Sequence, residues 1–384
     1  MRSIWQERDF RAPATGQSSG GGHAEVVIVG AGIVGLFTAL HYKRANPRHR
    51  VVVLERGPLP DGATMRNAGF ACFGSPSELL ADMAKEGEEA ALARVEERWL
   101  GLQELRGELG DDRIGFEGTG GYELFGEGDP LYNRVADGFD RLNSALRGIF
   151  GRTVYEWRTE RIGDLGLTCE HLAFTPLEGP VHSGKLVSTL LAKASEAGVD
   201  IHFSQEVLDL EEQSGRVLVS TRAGHSWTGD RIVVATNGYA KDLLPELDVV
   251  PARGQVVVTS PIPGLKFKGT FHAHEGFYYF RDFEGGVLLG GGRHLDMAGE
   301  ATAEHSSTPL IQQDLERMLR EVILPGQPFT VAHRWAGIMG FRSTGKTPLV
   351  ERLSERVVCA VGLSGMGVAI GIRVARKAAR LVAE

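Results

Sequence analysis

The sequence predicts an α/β fold in which a Rossmann-like dinucleotide-binding domain is interleaved with an α+β domain built on an antiparallel sheet. Three observations support this prediction. A strand–glycine turn–helix–strand unit lies near the start, a second strand–glycine turn–helix unit lies at the end, and short strands alternate with amphipathic helices between them. Because the two glycine turns stand at opposite ends of the chain, the first domain must be assembled from distant segments.

The first unit has a mechanical reason for each of its parts. An apolar strand at 26–29 leads into a GxGxxG turn at 30–35, which opens a helix. A second strand at 51–54 is followed by the acidic residue Glu55. Gly30 makes the tight turn, Gly32 lets the backbone approach a pyrophosphate, and Gly35 lets helix and strand pack closely. The helix N-terminus offers free N–H groups to phosphates, and Glu55 can accept hydrogen bonds from a ribose. The unit predicts a dinucleotide site without specifying which dinucleotide.

Periodicity and cap signals predict the remaining elements. Helices are expected at 78–109, with breaks at its glycines, and at 130–147, 183–197 and 309–322. Asp129 followed by Pro130 is a typical helix start. Strands are expected at 118–125, 199–203, 207–210, 216–220, 232–235, 255–259, 277–280, 287–289 and 357–361. The last strand leads into the glycine turn 362–367 and a terminal helix.

This order predicts two discontinuous domains. The dinucleotide-binding domain is expected to comprise 24–75, 172–238 and 335–384, and the substrate domain 76–171 and 239–334. Residues 1–23 contain a Pro/Ser/Gly-rich stretch and are predicted to be a flexible lead.

Composition excludes several functional classes. The net charge of −7 and the pI near 6.0 disfavour a nucleic-acid partner. Three cysteines without a CxxC pair favour neither a disulfide scaffold nor a metal site and fit a reducing compartment. No long uninterrupted apolar stretch predicts a transmembrane segment, and the charged start does not look like a signal peptide. The sequence therefore predicts a cytoplasmic protein, and it is silent on oligomeric state.

Several further motifs occur in a fixed order after the first unit. They are Thr64-Met-Arg-Asn-Ala-Gly69, Val234-Ala-Thr-Asn-Gly238, Pro251-Ala-Arg-Gly-Gln255, Tyr278 before Gly290-Gly291, Trp335-Ala-Gly337 and the closing glycine turn. With the first unit, they resemble the flavin amine and D-amino-acid oxidase superfamily, which includes glycine oxidase, sarcosine oxidase, D-amino-acid dehydrogenase and γ-glutamylputrescine oxidase. The resemblance extends from Glu25 to the C-terminus.

This resemblance implies FAD as the cofactor, with ADP on the first unit and the flavin ring at the closing turn. A helix N-terminus at that turn could stabilise negative charge on the reduced ring. The implied FAD-binding residues are Gly30, Gly32, Ile33, Gly35, Glu55, Arg56, Arg66, Asn67, Ala68, Val207, Ala235, Thr236, Gly365, Met366 and Gly367. No counterpart of the cysteine that anchors the flavin of sarcosine oxidase is evident, and Cys72 is expected to be a buried apolar residue, so non-covalent FAD is expected.

The implied reaction oxidises a C–N bond to an imine by hydride transfer to flavin N5, with O₂ or another acceptor reoxidising the flavin. The leading substrate class is a D-amino acid or an N-substituted amino acid, and a primary or secondary amine is the alternative. A nicotinamide dehydrogenase and a tRNA-modifying flavoprotein are more distant alternatives.

An amino-acid substrate requires a group that binds its carboxylate, and arginine and tyrosine suit that role. By resemblance, Tyr278 faces the substrate, and strand alternation then places Tyr279 and Arg281 on the opposite face unless the strand bulges. Arg281 is kept as a second candidate. Glycine oxidase-like members place an arginine where this chain has Met339, so either Arg342 binds the carboxylate or the substrate lacks one there. Met339 is expected to be an apolar wall. Weaker candidates for the site or its entrance are Trp335, His272 and His274.

Overall fold

The computed structural model describes residues 1–8 and 20–384. The helices of these residues are α1 (Ile4–Arg8), α2 (Ile33–Ala45), α3 (Pro76–Glu86), α4 (Glu88–Leu109), α5 (Asp111–Ile114), α6 (Pro130–Phe150), α7 (Ile162–Leu165), α8 (Ser183–Glu196), α9 (Pro309–Met318) and α10 (Gly367–Ala383).

Their strands are β1 (Gly21–Val29), β2 (Val51–Leu54), β3 (Phe70–Ala71), β4 (Gly121–Phe125), β5 (Glu156–Trp157), β6 (His171–Thr175), β7 (Gly179–Pro180), β8 (Asp200–His202), β9 (Val207–Gln213), β10 (Arg216–Thr221), β11 (Ser226–Val234), β12 (Val250–Thr259), β13 (Thr270–Ala273), β14 (Tyr278–Phe283), β15 (Gly286–Gly291), β16 (Val331–Phe341), β17 (Leu349–Arg352) and β18 (Val357–Val361).

The first sheet has a parallel centre in the order β18-β11-β1-β2-β8, with β17 antiparallel at one edge. Its central strands read as continuous apolar runs because both of their faces are covered. Strands β9 and β10 extend β11 as an antiparallel flap. Helices α2 and α10 pack on each other over one face of the sheet. The first and last glycine turns are therefore neighbours, as the dinucleotide-binding prediction requires.

The second sheet has the order β16-β12-β15-β14-β13-β4-β6-β5 and is antiparallel except between β13 and β4. The predicted domain boundaries at 172 and 335 both fall inside strands of the second sheet, β6 and β16. Strand β6 pairs with β4, and β16 pairs with β12 along almost its whole length. These pairings join residues far apart in sequence, and periodicity within one segment does not reveal such partners.

Part of the lead that was predicted to be flexible, residues 1–23, has regular secondary structure. Residues 4–8 form α1, in which Ile4 and Trp5 are buried, and β1 begins at Gly21. The hydrophobic effect explains the docking, because burying the Trp5 ring removes a large apolar surface from water. The rest of the predicted lead, residues 9–19, lies outside the described residues.

Across the described residues, no helix combines the length and the apolar character needed to cross a membrane. The same residues hold no cluster of metal-ligating side chains, and their three cysteines are free.

Two buried carboxyl groups fix the segment that leads into α3. Glu178 accepts hydrogen bonds from the backbone N–H groups of Phe73 (2.8 Å) and Gly74 (3.4 Å). Glu123 accepts from the Ser75 hydroxyl and the Ser77 backbone N–H. Burial raises the pKa of Glu178 to about 8 and that of Glu123 to about 7, although these hydrogen bonds act in the opposite direction.

Glu178→Gln should therefore reduce the loss of stability at alkaline pH. The folded-state pKa lies above the unfolded value, so the stabilisation is present at acid pH and is lost as the pH rises towards 8. A carboxamide keeps the acceptor oxygen without the charge. Thermal unfolding at pH 6 and pH 9 measures the effect, and the exposed Glu160→Gln is the control. An equal pH dependence in wild type and Glu178→Gln would contradict this prediction.

Candidate functional site

A cavity of about 900 Å³ lies between the two sheets. One end is formed by the carboxyl ends of β1, β2 and β11 and by the N-terminus of α2. The other end is formed by the turn before α10 and by one face of β12, β13, β14 and β16. Ligands of α/β folds bind at the carboxyl edge of such a sheet. The cavity therefore joins the predicted nucleotide end to the predicted flavin end.

The glycines of the first turn lie where the predicted mechanism places them. Gly30 has a φ of +105°, and a Cβ on Gly35 would lie 1.9 Å from the Gly30 carbonyl oxygen. The Glu55 carboxylate, on the cavity wall, accepts hydrogen bonds from the backbone N–H groups of Ala31 (2.9 Å) and Gly57 (3.2 Å). The Thr64 hydroxyl accepts from the Ile33 N–H at the start of α2. These contacts create a rigid concave surface at the positive end of a helix.

Residues 66–68 line the cavity, but the polar side chains of Arg66 and Asn67 already form hydrogen bonds with other groups of the protein. The Arg66 guanidinium donates to Asp61 and to the carbonyl oxygens of Met1 and Ala336. Asn67 bonds within its own loop and accepts from the Ser183 hydroxyl. The sequence predicted that these residues contact the cofactor. The structure instead gives both side chains a bracing role, and their direct contact with a cofactor stays a prediction.

The other implied cofactor residues divide between the two ends of the cavity. At the nucleotide end, Arg56 stacks over the Tyr239 ring at 3.7 Å. The Thr236 hydroxyl oxygen there is buried and has no hydrogen-bond partner among the described residues. An unpaired buried hydroxyl suits a site that a polar ligand completes. All of these implied residues except Gly35 lie on the wall, including Val207, Ala235, Gly365, Met366 and Gly367.

The turn before α10 is held open towards the cavity. Asn237 Oδ1 accepts from the N–H groups of Gly362 (3.0 Å) and Leu363 (3.2 Å). Gly362 and Gly365 both have positive φ, a conformation that side chains disfavour. Helix α10 then begins with its N–H groups at the cavity wall. Two helix N-termini on one elongated cavity fit a ligand with phosphates at one end and an anionic ring at the other.

The prediction that Tyr278 faces the substrate is wrong. Tyr278 packs into the core on the far side of the second sheet, and its hydroxyl donates to Asp314 at 2.5 Å. Tyr279 lines the cavity instead and pairs across the sheet with His272. Strand alternation was applied correctly, but the wrong one of its two phases was chosen.

The prediction that Arg281 is a site residue is also wrong. Arg281 shares the face of Tyr279, yet it does not line the cavity. Its guanidinium lies beneath the loop before β3 and donates to the carbonyl oxygens of Gly69 and Val181, both at 2.9 Å. Arg281 therefore joins the second sheet to the chain directly before β3.

Tyr279 stands at the centre of the predicted substrate end. Its ring lies across Gly290, where a Cβ would approach Cε2 of the ring to 2.4 Å. A Cβ on Gly254 would lie 3.4 Å from the Tyr279 hydroxyl and 3.1 Å from Cε of Met339. Met339 thus stands between Tyr279 and the Gly365 turn as the expected apolar wall. Burial raises the pKa of Tyr279 to about 12, so its hydroxyl is a neutral hydrogen-bond donor.

The two arginines at this end differ in their partners. Arg342, the predicted carboxylate ligand, lines the cavity but lies 3.6 Å from an Asp248 oxygen and donates to the Thr347 carbonyl. Arg293 lines the cavity, stacks on the Phe341 ring at 4.6 Å, and has neither a hydrogen bond nor an ion pair among the described residues. Burial lowers the pKa of Arg293, and the nearby Tyr279 opposes this shift.

Sequence reasoning missed Arg293. Its only signal was its place directly after Gly290, Gly291 and Gly292, at the end of the strand that pairs with Tyr279. Nothing in the sequence shows which cation lacks a partner.

An ion network closes the outer end of the cavity. Lys346 contacts Glu78 and Asp82, both at 2.8 Å, and Arg98 contacts Glu78 at 3.3 Å. Burial alone would raise the pKa of Glu78. The positive charges of Arg98 and Lys346 have the larger combined effect and lower this pKa to about 2. His272 lies near this network, and burial lowers its pKa to about 4, which keeps the imidazole neutral at pH 7.

The remaining candidates contribute less. Cys72 reaches the wall, and burial raises the pKa of its thiol well above the ordinary value. Trp335 is buried behind the wall and donates to the Arg66 carbonyl oxygen at 2.8 Å. His274 is exposed and does not line the cavity.

The parallel sheet, the glycine turn before α2 and the cavity at the carboxyl edge of the sheet are typical of a dinucleotide-binding protein. The chain belongs to the DAO family of FAD-dependent oxidoreductases, whose family model matches residues 25–381. It is therefore an FAD-dependent oxidoreductase.

Known relatives agree with this assignment, and a solved structure shares the fold. The chain is 26% identical to the probable oxidoreductase OrdL of Rhizobium meliloti over 369 residues, which cover 90% of this chain and 79% of the relative. It is 30% identical to the glycine oxidase of Geobacillus kaustophilus over 283 residues, 69% of each protein. The L-proline dehydrogenase of P. horikoshii shares the fold with a TM-score of 0.73 at 19% identity, over 94% of both chains.

Proposed function

We propose that this protein oxidises the C–N bond of an amino acid whose carboxylate is bound by Arg293 and Tyr279. The observation that supports this most directly is the unpartnered guanidinium of Arg293 on the cavity wall, beside a tyrosine hydroxyl at the flavin end. Arginine binds carboxylates in a bidentate manner, and a neutral phenol can add one hydrogen bond. Glycine oxidase, a relative of this chain, is named for an amino-acid substrate.

Within this proposal the residues of the chain bind and orient the substrate. Arg293, held flat by Phe341, fixes the carboxylate, and Tyr279 fixes its second oxygen. Met339 and Phe70 form the apolar surface beside the α-carbon and exclude water. FAD, when bound non-covalently, supplies the hydride acceptor at N5 of its ring. The imine that leaves is hydrolysed by water to a carbonyl compound and ammonia or an amine.

Binding of FAD itself is assigned to the two helix N-termini and to Glu55. Glu55 suits a ribose because its carboxylate is already oriented by the Ala31 and Gly57 N–H groups. We expect the cofactor to leave the protein on acid precipitation, because the sequence has no evident counterpart of the cysteine that anchors the flavin of sarcosine oxidase. Yellow colour retained in the pellet would contradict non-covalent binding.

Anaerobic mixing of the oxidised holoprotein with matched substrates tests the function. The panel contains D-, L- and N-methyl amino acids, each paired with the amine that lacks its carboxylate. Loss of the flavin band near ~450 nm reports C–N oxidation. Faster bleaching by amino acids than by their paired amines is expected. Faster bleaching by the amines would instead favour an amine oxidoreductase, a second candidate that Met339 supports because it occupies the position where glycine oxidase-like members carry an arginine.

A further inference from the structure

We propose that the N-terminal segment, residues 1–8, is an intramolecular brace that fixes the cofactor loop, residues 60–68, and thereby sets the affinity for FAD. The cofactor loop lies between β2 and β3 and supplies much of the cavity wall beside the start of α2. The brace concerns cofactor binding and does not depend on which substrate is oxidised.

The segment satisfies polar groups along the whole cofactor loop. The Ser3 hydroxyl donates to the Met65 carbonyl oxygen (2.5 Å), and the Trp5 indole N–H donates to the Asn67 carbonyl oxygen (2.8 Å). Gln6 Nε2 donates to the Pro60 carbonyl oxygen (3.1 Å) and to Asp61 Oδ1 (2.7 Å). Together, these four hydrogen bonds connect Ser3 and two residues of the five-residue helix α1 to four positions of one loop.

Arg66 extends the brace to the second sheet. Its guanidinium donates to the Met1 carbonyl oxygen (2.8 Å), to Asp61 Oδ1 and to the Ala336 carbonyl oxygen of β16 (3.0 Å). Asp61 therefore receives hydrogen bonds from both Gln6 and Arg66. Loss of the segment would leave buried polar atoms of the loop without partners, which is costly.

Trp5 anchors the segment. Its side chain is fully buried, and its ring makes edge contacts with the rings of His182 (4.8 Å) and Phe283 (5.0 Å). His182 belongs to the N-cap of α8, and Phe283 ends β14. A brace anchored on both domains can hold the loop in place before any cofactor arrives.

An ordered cofactor loop matters because the loop positions polar groups at the nucleotide end of the cavity. The Thr64 hydroxyl accepts from the Ile33 N–H, and a Cβ on Gly32 would lie 3.3 Å from that hydroxyl. A loop that is disordered in the apoprotein must be ordered when the cofactor binds, and this ordering weakens the observed affinity. Bracing reduces that loss.

Trp5→Ala and Gln6→Ala test the proposal through the equilibrium binding of FAD to the apoprotein, followed by quenching of flavin fluorescence. We expect Trp5→Ala to raise the Kd for FAD by on the order of tenfold to a hundredfold, and Gln6→Ala by a smaller factor. Amide hydrogen exchange in residues 60–68 of the apoprotein should become faster in both variants. Arg8→Ala is the matched control, because Arg8 contacts only the exposed Glu284 among the described residues.

Leu142→Ala separates general destabilisation from bracing, because it removes a buried side chain of α6 that packs with Phe139 and Leu146, away from the cofactor loop. Equal weakening of FAD binding by Leu142→Ala at a matched loss of thermal stability would overturn the proposal. An unchanged Kd in both Gln6→Ala and Trp5→Ala would also overturn it. Should Trp5→Ala fail to fold, Gln6→Ala and Ser3→Ala, which remove only hydrogen bonds, decide the question.

Discussion

Arg293→Met should lower kcat/KM for an amino-acid substrate by on the order of 10² to 10³-fold, the largest effect expected of any side chain at the substrate end. A charge-assisted bidentate contact contributes about 1.5–3 kcal/mol per hydrogen bond, and its loss also leaves the carboxylate desolvated. Methionine keeps an unbranched apolar stem that can pack on Phe341. The substitution therefore removes the charge with little change in packing.

Comparison of substrates shows whether the charge itself matters. For the amine that lacks the carboxylate, Arg293→Met should leave kcat/KM within a few-fold of wild type. Arg342→Met serves as the matched variant, because Arg342 also lines the cavity but has Asp248 as a partner. A larger loss in Arg342→Met than in Arg293→Met would transfer the carboxylate site to Arg342, as the sequence first suggested. Steady-state kinetics with both substrates measures all of these outcomes.

Gly101→Ala should destabilise the protein by about 3 kcal/mol or more and weaken FAD binding, although alanine is the better helix former. Gly101 lies inside α4, where a Cβ would be 2.0 Å from the Ala369 carbonyl oxygen and 3.1 Å from its carbonyl carbon. These are backbone atoms, so no side chain can rotate away. Helices α4 and α10 must separate, and α10 carries the turn at the flavin end of the cavity.

Gly107→Ala is the control for this prediction, since Gly107 lies in the same helix and a Cβ there meets nothing within 4 Å. It should stabilise the protein by roughly 0.5–1 kcal/mol through helix propensity. Thermal unfolding of holoprotein and apoprotein measures both variants. Similar unfolding temperatures for Gly101→Ala and Gly107→Ala would show that α4 and α10 adjust without cost.

The sequence predicted the features that local physics dictates. The dinucleotide turn was identifiable because Gly30 and Gly35 must allow close backbone approaches. The parallel strands were identifiable because both of their faces are buried. In the helical stretch at 78–109, however, three glycine breaks were expected, and only Gly87, with a φ of +90°, interrupts the helix. A glycine that bends a chain and one that admits a neighbouring helix look alike in a sequence.

The substrate end was less predictable for a related reason. Alternation along β14 has two equivalent phases, and only the packing of Tyr278 against the far core selects Tyr279 for the cavity. Likewise, Arg281 and Arg293 are equivalent as residue types. Their roles differ because Arg281 donates hydrogen bonds to two carbonyl oxygens, whereas Arg293 stacks on the Phe341 ring and faces the cavity. Such differences arise from long-range contacts that no single segment encodes.

The packing of α10 on α2 also bears on the biogenesis of this enzyme. Strand β1 pairs with β11, whose residues are translated about two hundred positions later. The flavin end of the cavity also requires α10, the last helix of the chain. A ribosome-bound intermediate therefore has a nucleotide-binding turn without the rest of the cavity. We therefore expect the complete cavity to form only after α10 has been translated, and chains that stop before α10 to leave apolar strands uncovered.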